Sequence, residues 1–380
     1  MQELRVGIIG FGFIGKVHAH AHRSVPLFYD PPPLRTRLAV VCTSREETAR
    51  KAVAQGGFEQ GATEWRRVVE RDDIDLVHVC TPNHLHRDIV LAALASGKHV
   101  YCDKPLCMNL TEAREIAAAA GRAQSLHQMT FHIRFVPAVM RARRLIEDGF
   151  IGKPFHFRAA YLHDGYSDPQ RPMTWRLRKE LAGAGALGDL GSHIIDLMRH
   201  LLGEYESVNA TAETYIERRP TEKGSSEMAP VEVDDYVLIR ARMRGGGIGV
   251  IEASRFATGT SDDLKFEIYG ERGALKFNLM DPNFLYAYDA RDPGGELGGM
   301  RGFKAIACVQ HYPRPSALPS PKLPVGWIRF HIASLHNFLA AIAEDRQPTP
   351  SLLDGAATQA VMEAVLESSE RRQWAPIGEV

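Results

Sequence analysis

The stretch LRVGIIGFGFIG, residues 4–15, constrains the fold of this chain more than any other. A short apolar run ends at three glycines spaced G-x-G-x-x-G (Gly10, Gly12 and Gly15, with Phe13 and Ile14 between), and a helix-length segment, 15–25, follows. After a strand and before a helix, the first glycine allows a tight turn, and the second lets the backbone approach a pyrophosphate. The third lets helix and strand pack closely, while the helix N-terminus offers free N–H groups to the anion. The spacing therefore predicts dinucleotide binding; the competing reading is a plain glycine-rich turn. Three histidines alternate just behind it, His18, His20 and His22. Only His18 and His22 share a helical face, and no thiolate or carboxylate stands nearby to complete a zinc set. Packing, or a hydrogen bond near the cofactor, is the expected role of His18, and no metal site is expected.

The strand–helix unit repeats. LAVVC (38–42), IDLVHVC (74–80) and HVYC (99–102) read as short buried strands, and 44–54, 85–96 and 111–124 as the helices between them. Nearly all-apolar strands alternating with helices predict a doubly wound parallel sheet covered on both faces, an α/β Rossmann domain over residues 1–127. FYDPPPLRTR (28–37) interrupts it, and three consecutive prolines predict an extended loop. From 128 to 380 the pattern changes. Strand-like runs at 154–162, 208–217, 233–243, 247–256, 264–270 and 274–279 follow one another, several across turns as short as GERG. They predict an α+β domain with a large, open, mostly antiparallel sheet. An irregular Gly- and Pro-rich excursion is expected over 289–325, with closing helices at 330–344 and 356–371.

Lys plus Arg equals Asp plus Glu, 46 each, so nothing electrostatic favours nucleic acid or an anionic membrane as a partner. No apolar run is long enough to span a bilayer. The N-terminal residues show no basic and apolar leader, and the five cysteines form no CxxC pair. A cytoplasmic protein with reduced thiols is expected.

NAD-specific folds place Asp or Glu at the end of the second strand, for the ribose hydroxyls. Here that strand runs into Thr43, Ser44 and Arg45. Hydroxyls followed by a guanidinium suit a 2′-phosphate, so the cofactor is NADP or NAD, with NADP slightly favoured. Arg45 simply opening a solvated helix is the alternative.

Three further segments carry chemistry: CTPNHLH (80–86), CDKPLCMN (102–109) and AGAGALGDLGSHIIDL (182–197). With the glycine loop, they make most of the chain resemble the Gfo/Idh/MocA family of oxidoreductases. The resemblance implies a Rossmann domain plus an open-faced sheet domain with the active site between them. It implies that Lys104 is the catalytic lysine, that Asp189 and His193 are the acid and histidine of the second domain, and that Thr81, Pro82, Asn83 and Asp103 line the cofactor, with His86 beside them. Asp103 stands where the family usually has Glu, and His132 where it often has Asn. The residues themselves agree with this reading. Asp189 and His193, four apart, would share one helical face, where a carboxylate can orient an imidazole as general base. Lys104 can stabilise charge on the substrate oxygen, and a cis Lys104–Pro105 bond is expected. The plainer alternatives are a helix cap for Asp189, a core histidine for His193 and a surface lysine for Lys104. Asp189, His193 and Asp196 on one face also make a helix-borne metal site conceivable.

The segment 161–189 resembles family members acting on inositols, levoglucosan or other pyranoses. Tyr161, His163, Trp175 and Arg176, with His132 and Arg134, are the substrate-binding candidates. The expected function is an NAD(P)-dependent dehydrogenase transferring hydride between a secondary hydroxyl of a cyclic polyol or sugar and the nicotinamide. The alternatives are an oxidoreductase for a nucleotide-linked or amino sugar and a non-catalytic NADP-sensing protein. The exposed face of the second sheet is expected to form a homodimer or homotetramer interface.

Overall fold

The computed structural model describes residues 3–380. Its first sheet has six parallel strands: β1 (Glu3–Ile9), β2 (Arg35–Cys42), β3 (Gln60–Ala62), β4 (Leu76–Val79), β5 (His99–Cys102) and β6 (His127–Met129). They lie in the order β3-β2-β1-β4-β5-β6. Chain direction reverses its lateral progress at β1 and β4, and the loops leaving those strands open the crevice where doubly wound sheets bind ligands. The short strands β3 and β6 escaped the sequence reading, since three residues carry no period. Helices α1 (Phe13–Phe28), α2 (Glu46–Gly56), α3 (Arg66–Val69), α4 (His86–Ala95) and α5 (Leu110–Ala120) cross between the strands. The proline loop is shorter than expected, because Arg35, Thr36 and Arg37 pair with β1.

Helix α6 (Pro137–Glu147), which the sequence reading missed, leads into the second sheet. This holds β7 (Pro154–Leu162), β8 (Tyr205–Glu213), β11 (Tyr236–Met243), β12 (Ile248–Ser254), β13 (Asp263–Gly270), β14 (Gly273–Asn278), β15 (Phe284–Asp289), β16 (Lys304–Ala307) and β17 (Ala375–Pro376); β9 (Arg218–Pro220) and β10 (Met228–Pro230) form a separate ribbon. Its pairings are antiparallel except β7 with β12. Strand β16 lies in the stretch expected to be irregular, and β15 ends where that stretch begins. Alternation along the strands sets the two faces. Val237, Ile239, Ala241 and Met243 of β11 are buried, whereas Leu238, Arg240 and Arg242 are exposed. Helices α6, α8 (Ser192–Leu202) and α10 (Leu352–Arg371) cover the buried face; α7 (Lys179–Ala182) is a single turn beside the cleft.

The closing helices cross the boundary expected at residue 127. In α9 (Trp327–Ala343), Ile332, Leu335, Phe338 and Leu339 pack among Leu4, Val6, Ala19, Val25 and Tyr101 of the first domain. Leu352 and Ala356 of α10 join the core on the other side of the first sheet, while Val361, Met362 and Val365 join the second. The segment 128–380 therefore does not pack as a single body, and α9 brings Trp327 and His331 to the cleft between the sheets. Among the described residues, no helix is long and apolar enough to cross a membrane. All five cysteines are free and buried.

Candidate active site

A cleft of about 850 Å³ runs from the carboxyl ends of β1, β2 and β4 to the covered face of the second sheet. Its nucleotide half is shaped by backbone contacts that only glycine permits. Gly10 has φ +94°, and a Cβ there would run into the Cys80 carbonyl; a Cβ on Gly15 would run into the Gly10 carbonyl. Beside Gly12 the space is open. The α1 N-terminus has no side-chain cap, so its N–H groups remain available to an anion. These residues fit the pyrophosphate of a dinucleotide. Gly10, Gly12, Phe13, Ile14, Thr43, Ser44, Thr81, Pro82, Asn83, Asp103 and Lys104 all line the cleft. Thr48, Thr63 and Trp65, which the sequence reading did not select, line it too. Asn83 Nδ2 donates to Ala182 O (2.8 Å) and so ties this half to the second domain. Asp103 accepts from the Thr130 hydroxyl at 2.6 Å.

Three nucleotide candidates lie outside the lining. Gly15 acts by close packing. Arg45 stands exposed at the start of α2, followed by Glu46 and Glu47. His86 is fully buried, its ring 2.9 Å from both Pro105 O and Thr81 O. Burial lowers the pKa of this imidazole. A neutral ring donates to only one of these carbonyls at a time; buried between the loops after β4 and β5, it packs them together, which corrects its placement beside the cofactor.

The floor is built by the glycine-rich motif. Asp234 accepts the backbone N–H groups of Gly185 and Leu187 at 2.7 Å each. A wide π-helical turn, Leu187–Gly191, then leads into α8. Such turns widen a helix locally and are frequent at functional sites. Asp189 projects from it, and Lys104 Nζ donates to both its Oδ1 (2.9 Å) and its carbonyl (2.7 Å). Arg255, buried at the end of β12, donates to Oδ2 at 3.2 Å. Burial pushes the Asp189 carboxyl up, but Lys104, Arg255 and Arg176 outweigh it and hold the carboxyl well below the usual carboxylate range. This corrects the expected pairing with His193. The carboxylate turns to the two cations and orients Lys104. The peptide bond between Lys104 and Pro105 is cis.

His193 sits one turn on, inside an aromatic box: its ring centroid lies 5.1 Å from that of His132, 5.8 Å from Tyr161 and 6.2 Å from Phe131. Its Nδ1 has no partner among the described residues. Burial first, then Lys104 and His132, drive its pKa well below the usual imidazole value, so the ring is neutral and able to accept a proton. The outer wall carries Asp262, which accepts from Tyr161 OH (2.6 Å) and contacts His163 Nε2 (3.0 Å). Arg176 stacks over Trp175 at 4.4 Å. Tyr161, His163, Trp175, Arg176 and His132 line the cleft; Arg134 does not. It forms a buried two-pronged pair with Asp196 (2.8 and 2.5 Å), behind α8, which removes it from the substrate candidates. Arg255, Asp262, Trp327 and His331 were missed, since no local motif marks them. Among the described residues, no group of three or more His, Cys, Asp or Glu is placed to hold a metal ion.

Two family models match the chain: the oxidoreductase family with an NAD-binding Rossmann fold over residues 4–131, and the GFO/IDH/MocA C-terminal domain over residues 139–276. The chain belongs to the Gfo/Idh/MocA oxidoreductase family. Among relatives, it is 36% identical to levoglucosan dehydrogenase of Pseudarthrobacter phenanthrenivorans over 100% of both chains. It is 29% identical to 1,5-anhydro-D-fructose reductase of Ensifer adhaerens over 90% of each. A solved structure of levoglucosan dehydrogenase in complex with NADH and levoglucosan superposes with a TM-score of 0.94 at 36% identity, covering 100% of both chains. The family model of an NAD-binding Rossmann fold spans the strands and loops that line the nucleotide half of the cleft. The chain is an oxidoreductase of that NAD-binding family.

Proposed function

We propose that this enzyme oxidises a secondary hydroxyl of a pyranose, above all an anhydropyranose such as levoglucosan, or of a cyclic polyol, and reduces the matching ketone. The observation that carries the reading is the Lys104–Asp189–Arg255 cluster beside a neutral His193, on the floor of a cleft whose other half is a nucleotide cradle. The likeness to levoglucosan dehydrogenase over the whole chain supports the substrate class. When bound, the nicotinamide takes the hydride. Lys104, held by Asp189, donates to the substrate oxygen and stabilises negative charge there. His193 removes the hydroxyl proton. Tyr161, His163 and Asp262 present donors and acceptors to further ring hydroxyls, and Trp175 gives an apolar face for the ring.

Thr43, Ser44 and Arg45 would meet the adenosine ribose. Arg45 favours a 2′-phosphate, and Glu46 and Glu47 oppose it, so both cofactors are accepted with a small preference for NADP. We further propose a division at residue 127 for the nucleotide unit, a cytoplasmic location, and a homodimer or homotetramer through the open face of the second sheet. On that face Leu238, Ile248 and Val250 stand exposed among Arg240, Arg242 and Glu252.

Reduced-nicotinamide absorbance tests the reading, with levoglucosan, inositols and pyranoses supplied separately with NAD and with NADP. Turnover that disappears in His193→Ala is expected. Tight cofactor binding with silence across the panel would defeat the substrate assignment.

A further inference from the structure

Six histidines, most of them fully buried, form a file that begins at His193 and leaves the cleft. His132 lies beside His193, and its ring stacks on His331 with centroids 3.9 Å apart. His331 lies 6.4 Å from His18. From there the contacts are hydrogen bonds: His18 Nδ1 to His78 Nδ1 at 3.1 Å, His78 Nε2 to His22 Nε2 at 2.9 Å, and His22 Nδ1 to the hydroxyl of half-buried Thr36 at 3.0 Å. Helix α1 and strands β2 and β4 of the first domain carry His18, His22, His78 and Thr36, and α9, from the far end of the chain, carries His331. Bare packing would place apolar groups there, since buried imidazoles cost free energy unless bonded.

One tautomer assignment satisfies every bond from His18 outward. His22 Nδ1–H donates to Thr36, His78 Nε2–H to His22, and His18 Nδ1–H to His78. Cys80 Sγ lies 3.2 Å from the same His18 nitrogen. That assignment leaves His18 Nε2 with a lone pair. This buried nitrogen lacks a protein partner, as do Nδ1 of His193, Nε2 of His132 and both nitrogens of His331. The open nitrogens therefore mark the stretch between His193 and the bonded triad, where the rings touch by stacking or edge contact rather than by hydrogen bonds, and where transfer would run through waters at the ring edges.

We propose that His193, His132, His331, His18, His78, His22 and Thr36 form a proton relay that carries the substrate proton from the covered cleft to the edge of the first sheet. This rests on the reading that the enzyme oxidises a hydroxyl. The substrate carbon gives up a hydride, with two electrons, to the oxidised cofactor, and the oxygen gives its proton to His193. One proton then enters at His18 Nε2, each N–H in the triad shifts to its neighbour, and one proton leaves from the Thr36 hydroxyl to solvent. The three rings end in the opposite tautomer, the state that carries a proton inward for ketone reduction, and ring turns restore the first.

The other groups facing the file do not interrupt it. Tyr101, against His18 and His78, donates away to Ser334. Asp103 lies toward His18, Lys104 and Asp189 toward His193, and Asp262 toward His132. Burial leaves all six rings with lowered pKa values, about 4 at His18 and about 3 at His22. Neutral rings both donate and accept, and none traps the proton.

Two measurements test the relay. In His78→Phe, kcat for oxidation should fall about tenfold, less than the roughly 10²–10⁴ of a group that takes the substrate proton directly, because His193 is intact, with KM and cofactor affinity unchanged. The solvent deuterium effect on kcat should rise, and proton release, followed with a pH indicator, should lag behind formation of reduced cofactor. Thr36→Val, a gentler change should His78→Phe not fold, should move the same readouts in the same direction by a few-fold. Folded variants with unaltered kcat, solvent effect and proton release overturn the proposal. Nitrogen-15 NMR of histidine-labelled enzyme without substrate reads the wiring directly. Shared N–H protons between His18 and His78 and between His78 and His22 are expected, and two unbridged rings overturn it. Failure of the wild-type enzyme to oxidise any polyol would instead defeat the substrate reading, leaving the NMR result to decide the relay.

Discussion

Two acidic residues seven positions apart, Asp189 and Asp196, build two clusters of the same residue types with opposite consequences. Asp189, with a side chain 30% exposed, opens on the cleft and holds Lys104 and Arg255. Asp196, 2% exposed, is sealed behind α8, where Arg134 grips both its oxygens; Arg134 and Arg199 also reach Asp354 in the first turn of α10. In the sealed cluster the carboxylates and guanidiniums are committed to one another and tie α8, α10 and the loop before α6 together. In the open cluster a lysine ammonium is oriented but still has a donor to give. Access, more than residue type, separates catalytic machinery from architecture.

The largest expected effect breaks the open cluster. Lys104→Met should lower kcat by roughly 10²–10³, the scale of removing one donor to a developing oxyanion. The thermal midpoint should hardly move, because the site is partly exposed. A fall in stability with kcat preserved would reverse the two assignments. Next, Asp196→Ala should cost about 3–5 kcal/mol in a denaturant titration, since it strips a buried guanidinium of its main partner. Its folded fraction should keep its affinity for the cofactor.

A smaller effect concerns pH. The folded pKa of His193 lies below its unfolded value, so the ring stays neutral as pH falls through about 6.5, the ordinary imidazole value. The kcat profile for oxidation should stay flat there and drop only in more acidic solution; a limb at about 6.5 would mean that the base is better solvated than the structure shows. In the sealed cluster, Asp354 is depressed to about 2: burial raises it, and Arg134, the Ser351 backbone and Arg199 outweigh that. Its stabilisation is complete above the unfolded value of about 4 and is lost as pH falls through about 2. The smallest effect is at Arg45. Arg45→Ala should raise KM for NADP a few-fold and leave NAD unchanged, and equal changes for both would remove Arg45 from cofactor selection.

Much of this was legible in the sequence. The glycine loop, the alternating strands and helices, the run of strands after residue 150 and the spacing of Asp189 and His193 carry local signals, whereas Lys104 was singled out by resemblance to a family. Period, turn chemistry and sterics act over a few residues. The short strands β3 and β6 were missed because three residues carry no period; helix α6, PAVMRARRLIE, does carry the period of an amphipathic helix behind an N-terminal proline, so its signal was present in the sequence. At the site, Asp189 was expected to face His193, and Arg134 and His86 to face ligands. Spacing places side chains on a helical face but says nothing about which charges wait opposite that face.

The sequence by itself determined the nucleotide cradle, since a Cβ at Gly10 or Gly15 would collide with a carbonyl in any chain folded this way. It also determined the division into a parallel and a mainly antiparallel sheet. Only the tertiary structure decided that Asp189 belongs to Lys104 and Arg255, that Asp262 joins Tyr161 and His163, and that α9 returns from the chain's far end to set Trp327 and His331 beside the cleft. Those outcomes depend on charges and surfaces brought together from far apart in the chain: Asp189 with Arg255, Tyr161 with Asp262, and Phe13 with Trp327. Burial there makes an unpaired charge far costlier than a distant partner, and no local pattern encodes which partner arrives.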